Sequence, residues 1–345
     1  MTMEKTNTVR VVFPSKWHHC CQIATGFLRL AEQGWNVELV NDTRNAANFL
    51  HGQAFVQAEY LGKRIIYDLL DGYLDIPSMQ KALDNCDFYF KRSFSREKNQ
   101  KLFPTQMDKI YPLGFNYHVT HRKNPINESA VKRYLKPFQG RAPDVYFTTE
   151  VFEGTARPQT GKPVILFLAR LWEEEPELPE AVNAERRQIN ESRIQIIRTL
   201  KERYGDAFVG GLNDLPIART QAPDLIMPAQ YTERRRYVKL LHTADICIGT
   251  MGLHESIGWK TGEYVAAAKA IVNERFHYEV TGDFREGENY LPFETAQECL
   301  DAVQELVDSP EKLLEMKRRN QRYYEQYLKP EMLVKNSLEV IAKNI

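Results

Sequence analysis

The chain has 345 residues, and its 46 Lys and Arg balance 46 Asp and Glu, so the formal net charge is zero. With 43% hydrophobic and 27% charged residues the composition is that of a folded globular chain, which sets aside disordered, collagen-like and disulfide-scaffold classes. A dedicated duplex-DNA binder needs surplus Lys and Arg to neutralise phosphate, so nucleic acid is not an expected partner.

Five cysteines (Cys20, Cys21, Cys86, Cys247, Cys299) form no CxxC pair, so neither a disulfide framework nor a zinc knuckle is indicated and a reducing compartment is expected. The N-terminus passes from a polar segment into VRVVF without an apolar leader, and nowhere does an apolar run approach ~20 residues. A cytoplasmic, non-spanning protein is expected.

In chain order, the β-branched run at 9–13 predicts a strand, 22–33 a helix ended by Gly34, and WNVELV a second strand. Further strands are predicted at 63–67, 88–90 and 109–111, separated by helix-like or irregular segments, which implies a parallel sheet covered by helices. The Pro- and Gly-rich RPQTGKP at 157–163 places a domain boundary. Beyond it the alternation resumes, with strands at 164–169, 207–209, 245–248 and 270–272, and helices at 185–204, 231–242 and 259–268. Ser309 and Pro310 open a charged helix, and 331–345 reads as a last helix that could cross back to the first domain. The expected domains are 1–158 and 159–330.

The first strand-to-helix turn reads PSKWHHCCQIATG, with no glycine before Gly26, so the GxGxxG of a nicotinamide enzyme is missing. GxxxxGK[ST], HExxH and DxD are also absent, so neither a metal nor a resident cofactor is expected. The strongest local signal is TMGLHESIGWKTGEYVAAAKAIVNE at 250–274. It predicts a strand end, a glycine-bearing loop and a helix. Glu255 and Glu263 can each accept hydrogen bonds from hydroxyls, Gly258 and Gly262 permit close backbone approach, and Lys260 adds positive charge. A helix N-terminus there favours phosphate, so the combination describes a sugar-nucleotide.

This segment resembles the donor site of GT-B glycosyltransferases of the retaining family 4 type, whose Glu, seven residues, Glu motif maps onto Glu255 and Glu263. The resemblance implies an α/β fold of two Rossmann-like doubly wound domains facing across a cleft. It also implies that Glu255 faces the donor sugar hydroxyls and Glu263 the ribose diol. VILFLARL resembles the family's strand ending in Gly-Arg-Leu, making Arg170 the expected diphosphate contact. The family's following Lys is replaced by the acidic WEEEPELPEA, and Arg187 or Arg193 could substitute. The Arg234 to Arg236 run reads as solvated, with Tyr237, Leu240 and Leu241 as core. In the first domain, AANFLHG and LGKRIIYDLLDGY resemble strands ending in His and in Asp, which would set His51 and Asp71 at the ligand end of a sheet, with Asp68 competing for that role. The family's glycine-rich first loop is replaced here by Ser15, Lys16, Trp17, His18 and His19. Lys16 or His18 could donate to phosphate or acceptor, and Trp17 could equally be structural.

The resulting expectation is a metal-independent glycosyltransferase moving a sugar from a nucleoside diphosphate sugar to a hydroxyl acceptor, a glycan or a lipid-linked one, in polysaccharide or glycoconjugate synthesis. Arg170, Lys260, His51 and Asp71 are the expected catalytic groups; Glu255, Glu263, Gly258, Gly262 and Arg187 are the expected donor-binding ones. Basic, aromatic-laced stretches at 88–101 and 121–137 could rest peripherally on anionic lipid. A silent sugar-nucleotide or glycan-binding subunit, and an epimerase of the same fold, are the alternatives.

Overall fold

A computed structural model describes residues 8–128, 134–135 and 147–345. The chain divides into two units, one formed by Met1–Val151, Glu279–Thr281 and Glu325–Ile345, the other by Phe152–Tyr278 and Gly282–Tyr324. Both are Rossmann-like α/β folds.

In the first unit, β1 (Val9–Phe13) pairs in parallel with β2 (Val37–Asn41) through the helix α1 (Cys21–Glu32). The strands β3 (Phe55–Tyr60) and β4 (Lys63–Asp68) follow, then α2 (Ile76–Asp84), β5 (Phe88–Lys91), α3 (Arg96–Leu102) and β6 (Ile110–Pro112). The sheet order is β2-β1-β3-β4-β5-β6. It is mixed rather than parallel throughout: β3 runs antiparallel to both neighbours, in a hairpin with β4 closed by Leu61 and Gly62 at φ +53° and +71°. Two left-handed residues give the turn a twist that matches its strands. Between β2 and β3 no helix forms, because Asn41, Asn45 and Asn48 accept from the backbone N–H groups of Thr43, Ala47 and Leu50. Such local bonds compete with regular structure.

One face of this sheet is covered by α1 and by the last helix of the chain, α11 (Pro330–Lys343), through Ile23, Phe27, Leu30, Val334, Leu338 and Ile341. Their close approach depends on Gly26, where a Cβ would stand 2.2 Å from the Pro330 carbonyl oxygen. The other face takes Met79, Ala82 and Leu83 of α2.

The second unit is wholly parallel, in the order β11-β10-β9-β7-β8. Its strands are β7 (Ile165–Ala169), β8 (Phe208–Leu212), β9 (Ile246–Gly249), β10 (Ala270–Glu274) and β11 (Leu291–Phe293). Its helices are α4 (Glu180–Tyr204), α5 (Pro216–Gln221), α6 (Ala229–Thr232), α7 (Arg234–Thr243), α8 (Trp259–Ala266), α9 (Ala296–Asp308) and α10 (Pro310–Tyr323). Buried apolar side chains of the strands meet Ile196, Ile197 and Leu200 of α4 and Val303 and Leu306 of α9. After β7 the chain moves to β8 on one side, and later to β9 on the other, so the winding reverses between β7 and β9. In open α/β sheets ligands bind at the carboxyl ends of strands at such a reversal. Among the described residues no helix is long and apolar enough to cross a membrane.

Candidate functional site

Pairing of β7 with β9 stops at Leu166 and Cys247, before either strand ends, so their carboxyl ends part and leave the Leu168 carbonyl facing the gap. The Lys260 ammonium, from the first turn of α8, fills it by donating to Leu168 O. It also lies 5.5 Å from the Tyr237 ring centroid. Burial, partly offset by Glu263, pulls its pKa down to about 8. Arg193 reaches the same place from α4. Its guanidinium donates to Arg170 O at 2.7 Å, Thr250 Oγ1 at 3.0 Å and Met251 O at 3.1 Å, tying the loop after β7 to the loop after β9. Burial brings its pKa down to about 10. The exposed Arg170 guanidinium lies 3.8 Å from the Trp172 ring centroid.

Two cationic tips and a third at the rim therefore stand where two parallel strands diverge. The N-cap of α8 is Gly258, which has no side chain with which to cap the helix. The arrangement is built for an anion, because amide dipoles and fixed cations act together at a helix start.

A polar stripe on α4 holds the cluster. Asn183, Arg186, Asn190 and Arg193 are all buried, spaced three, four and three residues apart on one helix face. Asn190 exchanges bonds with the Trp172 backbone at 2.8 and 2.9 Å, and Arg186 donates to Glu173 O at 2.6 Å. Arg187, one residue off that stripe, points outward to Glu174 and Glu180. Glu174 and Glu175 of the acidic insertion are thus paired with arginines of α4, and Arg187 is turned away from the cationic cluster; of the two expected substitutes, Arg193 is the one the fold brings there.

The loop after β9 is strained. His254 and Glu255 both adopt left-handed backbone, at φ +61° and +59°, which non-glycine residues adopt at a cost of about 1–2 kcal/mol each. Partners hold them. Glu185 of α4 accepts from His254 N at 2.5 Å, Tyr278 Oη donates to His254 O at 2.9 Å, and Gly252 N donates to Ser256 O at 2.7 Å. The last residue of β9 is glycine, Gly249, where a Cβ would lie 1.8 Å from Asn273 Oδ1.

The two glutamates of the motif do not present a matched pair. The Glu255 side chain is 44% exposed and lies 3.7 Å from His277 Nδ1. Glu263 is 0% exposed, and its oxygens are occupied by Arg234 Nη2 at 2.5 Å and Tyr237 Oη at 2.7 Å. Its ribose-facing role is not what this geometry offers: the carboxylate sits one helical turn inside α8 and faces α7. Arg234 is correspondingly not a solvated residue of its basic run. Gly258 is the N-cap of α8, where a Cβ would find ordinary room 3.7 Å from Thr250 O, and Gly262 is buried within the helix.

In the first unit, His51 ends no strand; it lies exposed in the turns created by the Asn side chains above. The strand-end carboxylate is Asp68, fully buried and bonded to Lys91 Nζ at 2.7 Å and Tyr89 Oη at 2.6 Å. Asp71 follows in the loop and accepts from Arg92 Nη1 at 2.7 Å, which also meets His19 Nδ1 at 3.0 Å. Burial, with Arg92 beside it, lowers the His19 pKa to about 4, so that ring is neutral near pH 7. The stretch 88–101 begins as interior strand, with Phe88, Tyr89, Phe90, Lys91, Arg92 and Phe94 all buried, so its aromatic residues are withheld from any lipid surface while Arg96, Lys98 and Lys101 are not buried. The stretch 121–137 falls partly outside the described residues. Among the described residues, no group of three or more His, Cys, Asp or Glu is placed to hold a metal ion.

No family model matches the chain, and no curated protein matches it. Among solved structures, it is similar to a glycosyltransferase of Rickettsia africae at 12% identity and TM-score 0.43, covering 74% of this chain and 62% of that one. It is similar to HepE of Anabaena, solved with UDP and glucose, at 12% identity and TM-score 0.41, covering 78% of this chain and 68% of that one. The C-terminal domain of a glycosyl transferase group 1 protein of Francisella tularensis is 10% identical with a TM-score of 0.38, covering 52% of this chain and 97% of that one. Likenesses this distant carry no residue role.

Proposed function

We propose that the chain is a GT-B glycosyltransferase that binds a nucleoside diphosphate sugar at the β7/β9 divergence of its second unit and transfers the sugar to a hydroxyl acceptor. The observation that carries this reading is the convergence of Arg170, Arg193 and Lys260 on the carboxyl ends of β7 and β9, beside the glycine-capped start of α8. As the anomeric C–O bond breaks, negative charge grows on the β-phosphate oxygen. Fixed cations and amide dipoles then stabilise the transition state more than the ground state. Arg170, exposed at the rim, and Lys260, in the first turn of α8, take that role; Arg193 shapes the pocket by holding both loops. No metal is called for in this scheme, because the protein's own cations stand in for it.

Glu255, held outward by its strained backbone, accepts hydroxyls of the donor sugar. Glu263 acts one layer deeper, where it sets Arg234 and Tyr237 and, through its charge, keeps Lys260 more basic than burial alone would leave it. Asp71 is engaged by Arg92, so the reading leans on leaving-group stabilisation, as a retaining transfer requires, rather than on a strong base.

The test is turnover of a panel of sugar-nucleotides, with release of nucleoside diphosphate followed in wild type and Arg170→Ala. Slow hydrolysis of one donor, lowered at least about tenfold by Arg170→Ala, supports the reading. Binding of a donor with no turnover under any acceptor would point to the silent-subunit alternative, and free epimerised sugar to the epimerase.

A further inference from the structure

Trp17 lies in the loop after β1, at the ligand end of the first unit's sheet, and it is 53% exposed. A tryptophan so placed contributes little to a core. It is nevertheless fixed: its Nε1–H donates to Gly52 O at 2.6 Å, its backbone N–H to Ser15 Oγ at 3.5 Å, and Gly52 N donates back to Pro14 O at 3.2 Å. The 14–17 loop and the 51–52 turn are thus latched to each other in both directions. Because its only donor is spent inside the protein, the indole offers a ligand its faces and no hydrogen bond.

Around this plate the side chains are polar. Lys16, His18 and His51 are exposed beside it in sequence or across the latch, and the His18 ring packs edge-on against His118 at 4.8 Å between centroids. His19 packs edge-on to Trp17 at 6.3 Å. A fixed, exposed aromatic face with hydroxyl-binding side chains next to it in the chain and across the latch suits a pyranose. One face of such a ring presents C–H bonds polarised toward a π-system, while its edge carries hydroxyls. A lipid chain would need the apolar surface to continue beyond the indole, whereas the exposed chain neighbours of Trp17, Lys16 and His18, are polar. The cationic divergence of the second unit already accounts for the nucleotide.

We propose that Trp17 is a stacking platform for a neutral saccharide ring. This platform is independent of the transferase activity proposed above. The probes are methyl glycosides of glucose, galactose, mannose and N-acetylglucosamine, followed by saturation-transfer NMR and tryptophan fluorescence on wild type, Trp17→Phe and Trp17→Ala. The expected result is that at least one glycoside binds the wild type with saturation on its C–H protons. Its affinity is kept within about threefold by Trp17→Phe and lost at least about tenfold by Trp17→Ala. Since Trp17 is half in solvent, both variants should fold, which their melting temperatures check; were Trp17→Ala to unfold, the Trp17→Phe and wild-type spectra still decide. The proposal is overturned if no glycoside binds the wild type, if Trp17→Ala binds as well as wild type, or if uridine or guanosine, rather than any glycoside, engages Trp17. Titration of UDP and GDP into the same samples separates the two readings. Saccharide binding without nucleotide binding sinks the transferase and leaves the platform, and the reverse sinks the platform alone.

Discussion

Replacing Lys260 with Met keeps the side chain's length and removes its charge, and the structure assigns the change opposite effects on stability and on binding. The ammonium has a pKa of about 8 in the fold, against ~10.4 in an unfolded chain. Near pH 7 the folded protein therefore bears a cost of about 3 kcal/mol for keeping it charged. Methionine relieves that cost but leaves Leu168 O without its donor, which returns roughly 1–2 kcal/mol. The net expectation is a variant about 1–2 kcal/mol more stable, melting a few degrees higher. The same substitution deletes a charge-assisted contact to phosphate worth about 1.5–3 kcal/mol, so nucleoside diphosphate affinity should fall by roughly 10- to 100-fold. Calorimetric melting and isothermal titration of the same preparation read both quantities. The sign of the pH effect is also set: as pH rises through about 8 the wild-type lysine loses its proton and diphosphate affinity should decline, whereas Lys260→Arg should abolish the decline. A Lys260→Met variant that melts lower and binds nucleotide unchanged would refute the reasoning.

Glu263→Gln breaks a buried pair with Arg234 and should cost about 3–5 kcal/mol, seen as a melting point lower by roughly 10 °C; an unchanged melting point would mean the carboxylate is not structural. Glu185→Ala releases the strained His254 and Glu255 backbone and should raise the donor KM with little loss of fold. Adding His254→Gly, which tolerates a left-handed φ, should restore much of it, and failure of that rescue would count against the strain account. His19, with its pKa lowered to about 4 from ~6.5 when unfolded, binds fewer protons in the fold, so stability should be complete above pH 6.5 and be lost by on the order of 3 kcal/mol as pH falls to 4. Urea midpoints of His19→Gln across that range should show a flatter acid limb than wild type.

Much of this architecture was legible in the order of residues, because it rests on short-range chemistry. β-branched runs such as VRVVF and VILFLA became strands, and Ser309 with Pro310 opened a helix where capping rules place one. The glycine-bearing segment spanning Glu255 and Glu263, with Gly258, Lys260 and Gly262 between them, located a loop-to-helix turn at a strand end. The hairpin of β3 and β4 was missed because its turn is Leu-Gly rather than Asn-Gly, so the usual local signal is lacking. The burial of Glu263 was hidden for a different reason: its partners Arg234 and Tyr237 belong to another helix, and only tertiary packing brings them to it. The choice between Arg187 and Arg193 was within reach, since Asn183, Arg186, Asn190 and Arg193 share one helical face and Arg187 does not. That stripe is polar, and a search for apolar periodicity passes over it. His51 was misplaced because three Asn side chains in the preceding segment bond their own backbone, a pattern visible in the sequence but weaker than the family likeness that suggested a strand.

The most direct measurement is a crystal structure of the protein grown with UDP. The account predicts density for the diphosphate within hydrogen-bonding distance of the Arg170 guanidinium, the Lys260 ammonium and the first amides of the helix at Trp259–Ala266. A nucleotide bound elsewhere, with that divergence of strands left to water, would contradict it.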